Sequence, residues 1–409
     1  MSAPGRSGEG RAATRRPPRR TAFTQTRGAI TTWGQTEIAA GLAAALAAAA
    51  GGEPDTLTHG VHVYPARMHP AIARAIARRW VGERTRVLDP FCGSGTVLLE
   101  AMLCGGITTG VDLNPLGLRI AALKCERTDA ARREAVAAAA ARVTEAALQG
   151  VRARAKVLAP LPAGERAYYE PHVLRELAVL HRAILDERDA ALREPLLLVF
   201  SALVGKFSRQ RADTRDETVA KTIGKSVPTR FFARRVEALC ERWAQTAQQL
   251  PPGVPPPRLH ECDVRRLHDV VPAASIDVVI TSPPYVGTYD YVDHHARRWA
   301  WLGISPKRLR EGELGARRHY GRGGSAARWQ RELDEVVRGT LQVLAPGGLA
   351  LWLVGDGEID GARIDAVAQL GALVPAHGSE LVATASQPRI DWRGGRPRAE
   401  HLIALRRRA

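Results

Sequence analysis

The chain has 409 residues, with 59 Lys and Arg against 42 Asp and Glu, a formal net charge of +17. Apolar residues make up 45% and charged residues 25%, ordinary globular usage that excludes a chain disordered throughout. No run of 18 consecutive apolar residues occurs, so no membrane span is expected.

All but six of the basic residues are arginine, whose planar fork suits phosphates and base edges. Base-rich codon usage in an Ala-rich chain explains the same excess, and composition alone leaves both readings open. The length accommodates two or three domains, or one large domain with insertions. Five cysteines (Cys92, Cys104, Cys125, Cys240 and Cys262) form no CxxC pair and have no His at zinc-finger spacing. Neither a metal site nor a disulfide framework is expected, and a reducing cytoplasm is. The apolar run 39–50 follows an Arg-rich start, but the polar segment 24–37 intervenes, which argues against an export signal.

In chain order, residues 1–30 carry Arg15, Arg16, Arg19 and Arg20 among Pro, Gly, Ser and Ala. They have too little apolar surface to offset the entropy of ordering and read as a disordered basic tail. Residues 36–50 form an Ala-rich helix by propensity. Residues 1–57 are therefore an N-terminal tail and helix. From Arg86 the pattern becomes strand 86–89, Gly-containing loop 90–96, helix 97–103, and strand 106–111 ending at Asp112. Strands alternating with helices between Gly turns predict an α/β fold, a parallel sheet with helices on both faces. Further strands are expected at 276–280, 349–354, 378–385 and 401–405. The segments 121–154, 171–185 and 195–204 read as helical. Residues 126–250 are thus an inserted helical subdomain, separating two halves of one α/β unit at 58–125 and 251–409, because ordinary βα connections are far shorter.

Asp89-Pro90-Phe91-Cys92-Gly93-Ser94-Gly95-Thr96 lies where a strand turns into a helix. Glycines there allow close backbone approach to a ligand, and Asp112 at the end of the next strand suits ribose hydroxyls. No third Gly follows at the dinucleotide spacing. An acidic, proline-containing loop suits a cofactor bearing an ammonium and a sulfonium better than one bearing phosphates. The loop resembles motif I of the S-adenosylmethionine-dependent DNA amino methyltransferases, and is similar to that of tRNA guanine-N2 methyltransferases. The resemblance implies a Rossmann-like class I methyltransferase fold with a mainly parallel seven-stranded sheet, and S-adenosyl-L-methionine as cofactor. It assigns Asp89, Phe91, Gly93, Gly95 and Thr96 to the methionine part, Asp112 to the ribose and Asp263 to the region of the adenine. The segment His62-Val63-Tyr64-Pro65-Ala66 resembles the N-terminal motif closing over the methionine end, which adds Tyr64. A turn packing a tyrosine is the competing reading of that segment.

Thr281-Ser282-Pro283-Pro284-Tyr285 follows the strand 276–280, at the carboxyl edge where α/β folds place their chemistry. An exocyclic base amine is a poor nucleophile because its lone pair is delocalised into the ring. Acceptors for its two hydrogens, the Ser282 hydroxyl and the Pro283 carbonyl, would direct that lone pair at a methyl group. Pro283 and Pro284 stiffen the loop, and Tyr285 would stack on a base swung out of the duplex. In the resembling families, Ser-Pro-Pro-Tyr after Thr and an aliphatic residue is the cytosine-N4 form, although some adenine enzymes share it. The resemblance therefore implies a site-specific cytosine-N4 DNA methyltransferase. Adenine-N6 methylation, tRNA guanine-N2 methylation and a non-catalytic nucleic-acid-binding protein are the alternatives. It implies DNA rather than RNA as partner, with no membrane, and it leaves room for a restriction-modification setting with a separately encoded endonuclease.

Lys206, Arg209, Arg211, Lys221, Lys225, Arg230, Arg234 and Arg235, interleaved with Phe207, Phe231 and Phe232, make either a phosphate-contacting surface or a solvated helical face. The helix around 294–299 is expected either to contact nucleic acid or a substrate loop, or to be a packed helix. Residues 317–324 read as a basic, mobile loop.

Overall fold

The computed structural model describes residues 28–212, 215–287, 289–320, 325–389 and 398–408. The expectation of a disordered tail falls largely on residues 1–27, outside the described residues, and so does the glycine-rich end of the basic loop at 321–324. Strands β1 (Thr31–Gly34), β2 (Arg86–Asp89), β3 (Ile107–Asp112), β4 (Arg258–Glu261), β5 (Ile276–Thr281), β6 (Leu344–Gly355), β7 (Ser379–Arg389) and β8 (Arg398–Arg407) form one sheet. Their order is β1-β7-β8-β6-β5-β2-β3-β4. The block β4-β3-β2-β5-β6 is parallel throughout, whereas β8 runs antiparallel between β6 and β7. β1 pairs antiparallel with β7.

This corrects the seven-strand expectation to eight. The extra strand comes from the N-terminal segment, and residues 31–48 belong to the α/β unit rather than standing outside it. Thr31, Thr32 and Trp33 suit an edge strand, and helix α1 (Thr36–Ala48) buries Leu42 and Leu46 completely or nearly so. These pack with Ile72 and Ile76 of α2 (Pro70–Trp80) against one sheet face. Alternation along the strands decides which side chain meets which layer. Val278 and Ile280 join the α1/α2 layer, while Val279 joins the opposite one with helix α11 (Ser325–Val343). Asp89, Asp112 and Thr281 end parallel neighbours at one sheet edge, where the loops after β2, β3 and β5 converge.

Helices α3 (Thr96–Leu103) and α4 (Pro115–Cys125) follow β2 and β3. The helical stretch expected at 121–154 is broken, because Asp129 caps α5 (Ala130–Arg152) by accepting from the Arg132 N–H at 2.7 Å. With α6 (Pro171–Leu185), α7 (Ala190–Phe207) and α8 (Val227–Gln249), α5 packs around Leu177, Phe200, Phe232 and Trp243, in a core that continues into Leu116, Ile120 and Leu123 of α4 and Tyr64, so the insertion shares its core with the α/β unit. The subdomain also contains an antiparallel hairpin, Gln210–Ala212 with Arg215–Thr218, which the helical reading missed.

In the basic, Phe-interleaved stretch, two of the aromatic rings turn inward rather than standing among the exposed basic residues. Phe207 and Phe232 are buried, and Arg235 donates to the Gly60 and Val61 carbonyls at 2.9 and 2.7 Å. Burying phenyl rings is worth more than presenting them to water, so the helix turns them inward. Lys225, Arg230 and Arg234 stay exposed. The single helix expected around 294–299 is two, α9 (Tyr291–His294) and α10 (Ala296–Leu302), divided at His295. Arg297, Arg298, Trp299 and Trp301 of α10 are buried, and Arg298 Nε donates to the Ser201 carbonyl at 3.2 Å, so α10 packs on the inserted helices, while Tyr291 of α9 faces the candidate site described below. Arg318 of the basic loop is paired with Asp290 at 3.0 Å and Glu313 at 2.6 Å. Among the described residues, no helix is long and apolar enough to cross a membrane.

Candidate active site

The Asp89 carboxylate, 3% exposed, accepts from the Phe91 N–H at 3.1 Å and the Thr281 hydroxyl at 2.7 Å. Burial raises its pKa to about 7, and the nearby Asp112 pushes the same way. Asp112 accepts from Gly93 N–H and Asn114 N–H, both at 2.7 Å, and burial raises it to about 6. Parallel pairing of β2 with β3 brings the two acids together. Tyr64 comes from the segment before α2 and lies against Gly93. Its hydroxyl accepts from Asn114 Nδ2 at 3.0 Å, and its ring stacks on Tyr291 with centroids 6.1 Å apart.

These groups line a cleft of about 840 Å³, part of it open to solvent. Asp89, Asp112 and Glu313 make its floor and wall acidic, and burial raises the Glu313 carboxyl as well. Buried acids of this kind favour a cationic ligand, since a positive charge restores their ionised forms. Thr96 Oγ1 is buried in the cleft and has no hydrogen-bond partner among the described residues. A cofactor with a cationic sulfonium and ammonium and several hydrogen-bonding groups fits this lining. The Cys92 thiol is pushed well up by burial and is unsuited to nucleophilic work.

A second cavity of about 410 Å³ adjoins the cleft, lined by Ser282, Pro283, Pro284, Tyr285, Tyr289 and Glu400 among others. Ser282, Pro284 and Tyr291 line both spaces, so the loop after β5 stands at their junction. Tyr285 lies across Gly355 at the end of β6, where a Cβ would come within 2.6 Å of its ring. Gly355→Ala is therefore expected to displace Tyr285. It should lower any activity that needs the ring by roughly tenfold or more while cofactor affinity stays within about threefold. Paired rate and calorimetric measurements on the variant check this.

The structure thus brings Tyr64, Asp89, Phe91, Gly93, Thr96, Asp112, Asp263 and Ser282 to one cleft, and Pro283 and Tyr285 to its neighbour. Gly95 is different. It turns the chain at φ +76° against Ala121, whose Cβ would be 2.8 Å from an added Cβ, and it does not line the cleft. Asp263 follows β4, a strand not foreseen, and its carboxylate accepts from Arg265 Nε at 2.9 Å. Sequence reasoning missed Asn114, Thr281, Glu313 and Glu400. Thr281 was legible only as a neighbour of Ser282, and its bond to Asp89 spans 192 residues.

Residues 60–161 match the UPF0020 family, described as an RMKL-like methyltransferase domain. The chain is 32% identical over 71 residues to the type II methyltransferase M.MjaII of Methanocaldococcus jannaschii, covering 17% of this chain and 13% of that protein. It is 41% identical over 63 residues to the type II methyltransferase M.MvaI of Kocuria varians, covering 15% and 14%. The chain therefore spans about one seventh of the length of these relatives. Among solved structures it aligns with TrmN from Thermus thermophilus (14% identity, 82% of this chain and 49% of that one, TM-score 0.30). It also aligns with the rRNA methyltransferase AviRa from Streptomyces viridochromogenes (14% identity, 84% and 86%, TM-score 0.33). Those scores are too low to carry a structural argument. The family match and the two relatives support an S-adenosylmethionine-dependent methyltransferase, with S-adenosylmethionine as its cofactor.

Proposed function

We propose that the protein transfers a methyl group from S-adenosylmethionine to the N4 amine of cytosine in DNA. The observation that carries this reading is the junction of two cavities at Ser282 and Pro284, one with an acidic lining that includes Asp89 and Asp112, the other lined by Tyr285, Tyr289 and Tyr291. The local similarity to two type II methyltransferases favours DNA over RNA, and so does the Ser-Pro-Pro-Tyr loop for cytosine.

In this reading Asp89 receives the positive pole of the cofactor, Asp112 the ribose hydroxyls, and Tyr64 closes the methionine end over Gly93. Phe91 lies with Gly93 and Thr96 along the methionine part, and Asp263 bounds the adenine side. Bound there, S-adenosylmethionine supplies an electrophilic methyl carbon on a sulfonium. The Ser282 hydroxyl and Pro283 carbonyl accept the two amine hydrogens and hold the nitrogen lone pair toward the cleft. Tyr285 stacks on the flipped base. Alignment of nucleophile and methyl carbon supplies much of the rate. Exposed Lys225, Arg230 and Arg234 give the subdomain a phosphate-contacting role.

The test is incubation with labelled S-adenosylmethionine and unmethylated DNA, or tRNA, followed by mass spectrometry of the nucleosides. N4-methylcytosine in DNA is expected, whereas N6-methyladenine alone or label only in tRNA overturns the assignment. Cofactor affinity should also depend on pH. Asp89 and Asp112, raised to about 7 and about 6 in the free protein, protonate as pH falls, and the protonated forms receive donors poorly. Affinity measured by calorimetry should be highest near pH 8 and fall progressively through 7 and 6. A flat profile from pH 5 to 8 would contradict the placement of these acids.

A further inference from the structure

Lys124 is fully buried in the last turn of α4, and the resemblance assigns it no role. A lysine is almost never fully buried unless it is paired with a carboxylate. Among the described residues Lys124 has no such partner, and its Nζ donates instead to the Ser94 hydroxyl oxygen at 2.9 Å. The end of α4 is fixed from two sides, by Thr58 Oγ1 donating to the Lys124 carbonyl at 2.8 Å and Trp243 Nε1 to the Leu123 carbonyl at 2.9 Å. Ser94 lines the cofactor cleft. A hydroxyl whose oxygen accepts from an amine still has its own hydrogen to place, and no acceptor for it stands among the described residues. Two residues on, Thr96 Oγ1 is buried in the same cleft without a partner. Arg67, the only basic side chain among the described residues lining the cleft, is engaged by the Pro54 carbonyl and Asp55, both at 2.7 Å. The carboxylate of S-adenosylmethionine, the one anionic group of that cofactor, therefore meets no free cation on the cleft wall. The nearest unengaged amine lies directly behind Ser94.

We propose that Lys124 is a positioning residue for the cofactor: by donating to Ser94 it holds that hydroxyl with its hydrogen toward the cleft, where Ser94 donates to the methionine carboxylate of S-adenosylmethionine. This rests on the placement of the cofactor in the cleft and deepens it. Burial, with the Arg67 guanidinium nearby, pulls the Lys124 amine well below the ordinary lysine pKa, and a carboxylate brought to Ser94 favours its charged form. Asp89 and Ser94 then hold the ammonium and the carboxylate borne by a single carbon. Two opposite contacts on one carbon fix the direction of the chain that leads to the sulfonium, which a single acid does not.

The experiment titrates the full chain by calorimetry with S-adenosylmethionine and with its decarboxylated form, which keeps the sulfonium, amine, ribose and adenine. Lys124→Met, close in volume and without the amine, is expected to raise the Kd for S-adenosylmethionine roughly tenfold or more, because a charge-assisted hydrogen bond is weakened. Ser94→Ala should raise it about as much, and the double variant should lose less than about threefold beyond either single one, since both act on one contact. For the decarboxylated cofactor all three variants should stay within about threefold of the wild type. A merely structural role for Lys124 would weaken both ligands equally, and that result overturns the proposal, as does an unchanged Kd for S-adenosylmethionine in Lys124→Met. If Lys124→Met does not fold, Ser94→Ala decides by the same comparison: loss on S-adenosylmethionine alone supports the proposal, and equal loss or none overturns it. The wild type reports separately on the underlying reading, because failure to bind either ligand would remove the cofactor from the cleft altogether.

Discussion

Replacing Asp89 by Asn is expected to weaken S-adenosylmethionine binding about a hundredfold and, at pH 8, to raise the melting temperature of the cofactor-free protein. The two effects share one cause. The side chain is 3% exposed, and burial lifts its pKa to about 7, so holding it ionised costs folding free energy. For an acid whose folded pKa is raised, the associated stability is present at low pH and is lost as pH rises toward 7. Asn keeps an oxygen to accept from Phe91 N–H and Thr281 while removing the charge, so the penalty disappears. The same charge is what a cationic cofactor pole needs, and a charge-assisted hydrogen bond of about 2–3 kcal/mol corresponds to roughly a hundredfold in Kd. Calorimetry with thermal unfolding at pH 5 and 8 checks both halves. Stabilisation should be small at pH 5, where the wild-type acid is already protonated. Equal affinity for the cofactor in both proteins would remove Asp89 from the binding site.

Ser282→Ala should lower the single-turnover rate of methyl transfer by about 10²- to 10³-fold, comparable to removal of one preorganised polar contact at a reacting group. Cofactor Kd should change less than about threefold, because Asp89, Asp112 and Tyr64 are untouched. Tyr285→Ala should fail in the same way through loss of stacking, worth about 1–3 kcal/mol per base. Quench-flow rates with radiolabelled cofactor and DNA distinguish this from a binding defect. Loss of cofactor affinity in both variants would mean that the loop supports the cleft rather than the acceptor.

Much of the α/β pattern was legible because it is written locally. The β-branched run at 276–280, the Gly turn after Asp89 and the Pro-Pro after Ser282 each constrain backbone within a few residues. Strand β4 was missed because Arg258-Leu259-His260-Glu261 has neither alternation nor a β-branched run, and it forms only by pairing with β3. β1 was missed for a similar reason, since a four-residue edge strand takes its order from β7. Phe207 and Phe232 were placed with the basic residues around them, yet the packing of α7 on α8 turned them inward.

The sequence by itself determined which loops carry the acids, the glycines and the Ser-Pro-Pro-Tyr segment, because turn chemistry and strand ends follow from neighbouring residue types. Only the tertiary structure decided how they meet. The Thr281 bond to Asp89, Asn114 under the Tyr64 hydroxyl and Gly355 under the Tyr285 ring join residues 50 to 192 positions apart. Contacts at such separations depend on sheet order and on which face each side chain takes, and no local pattern specifies either.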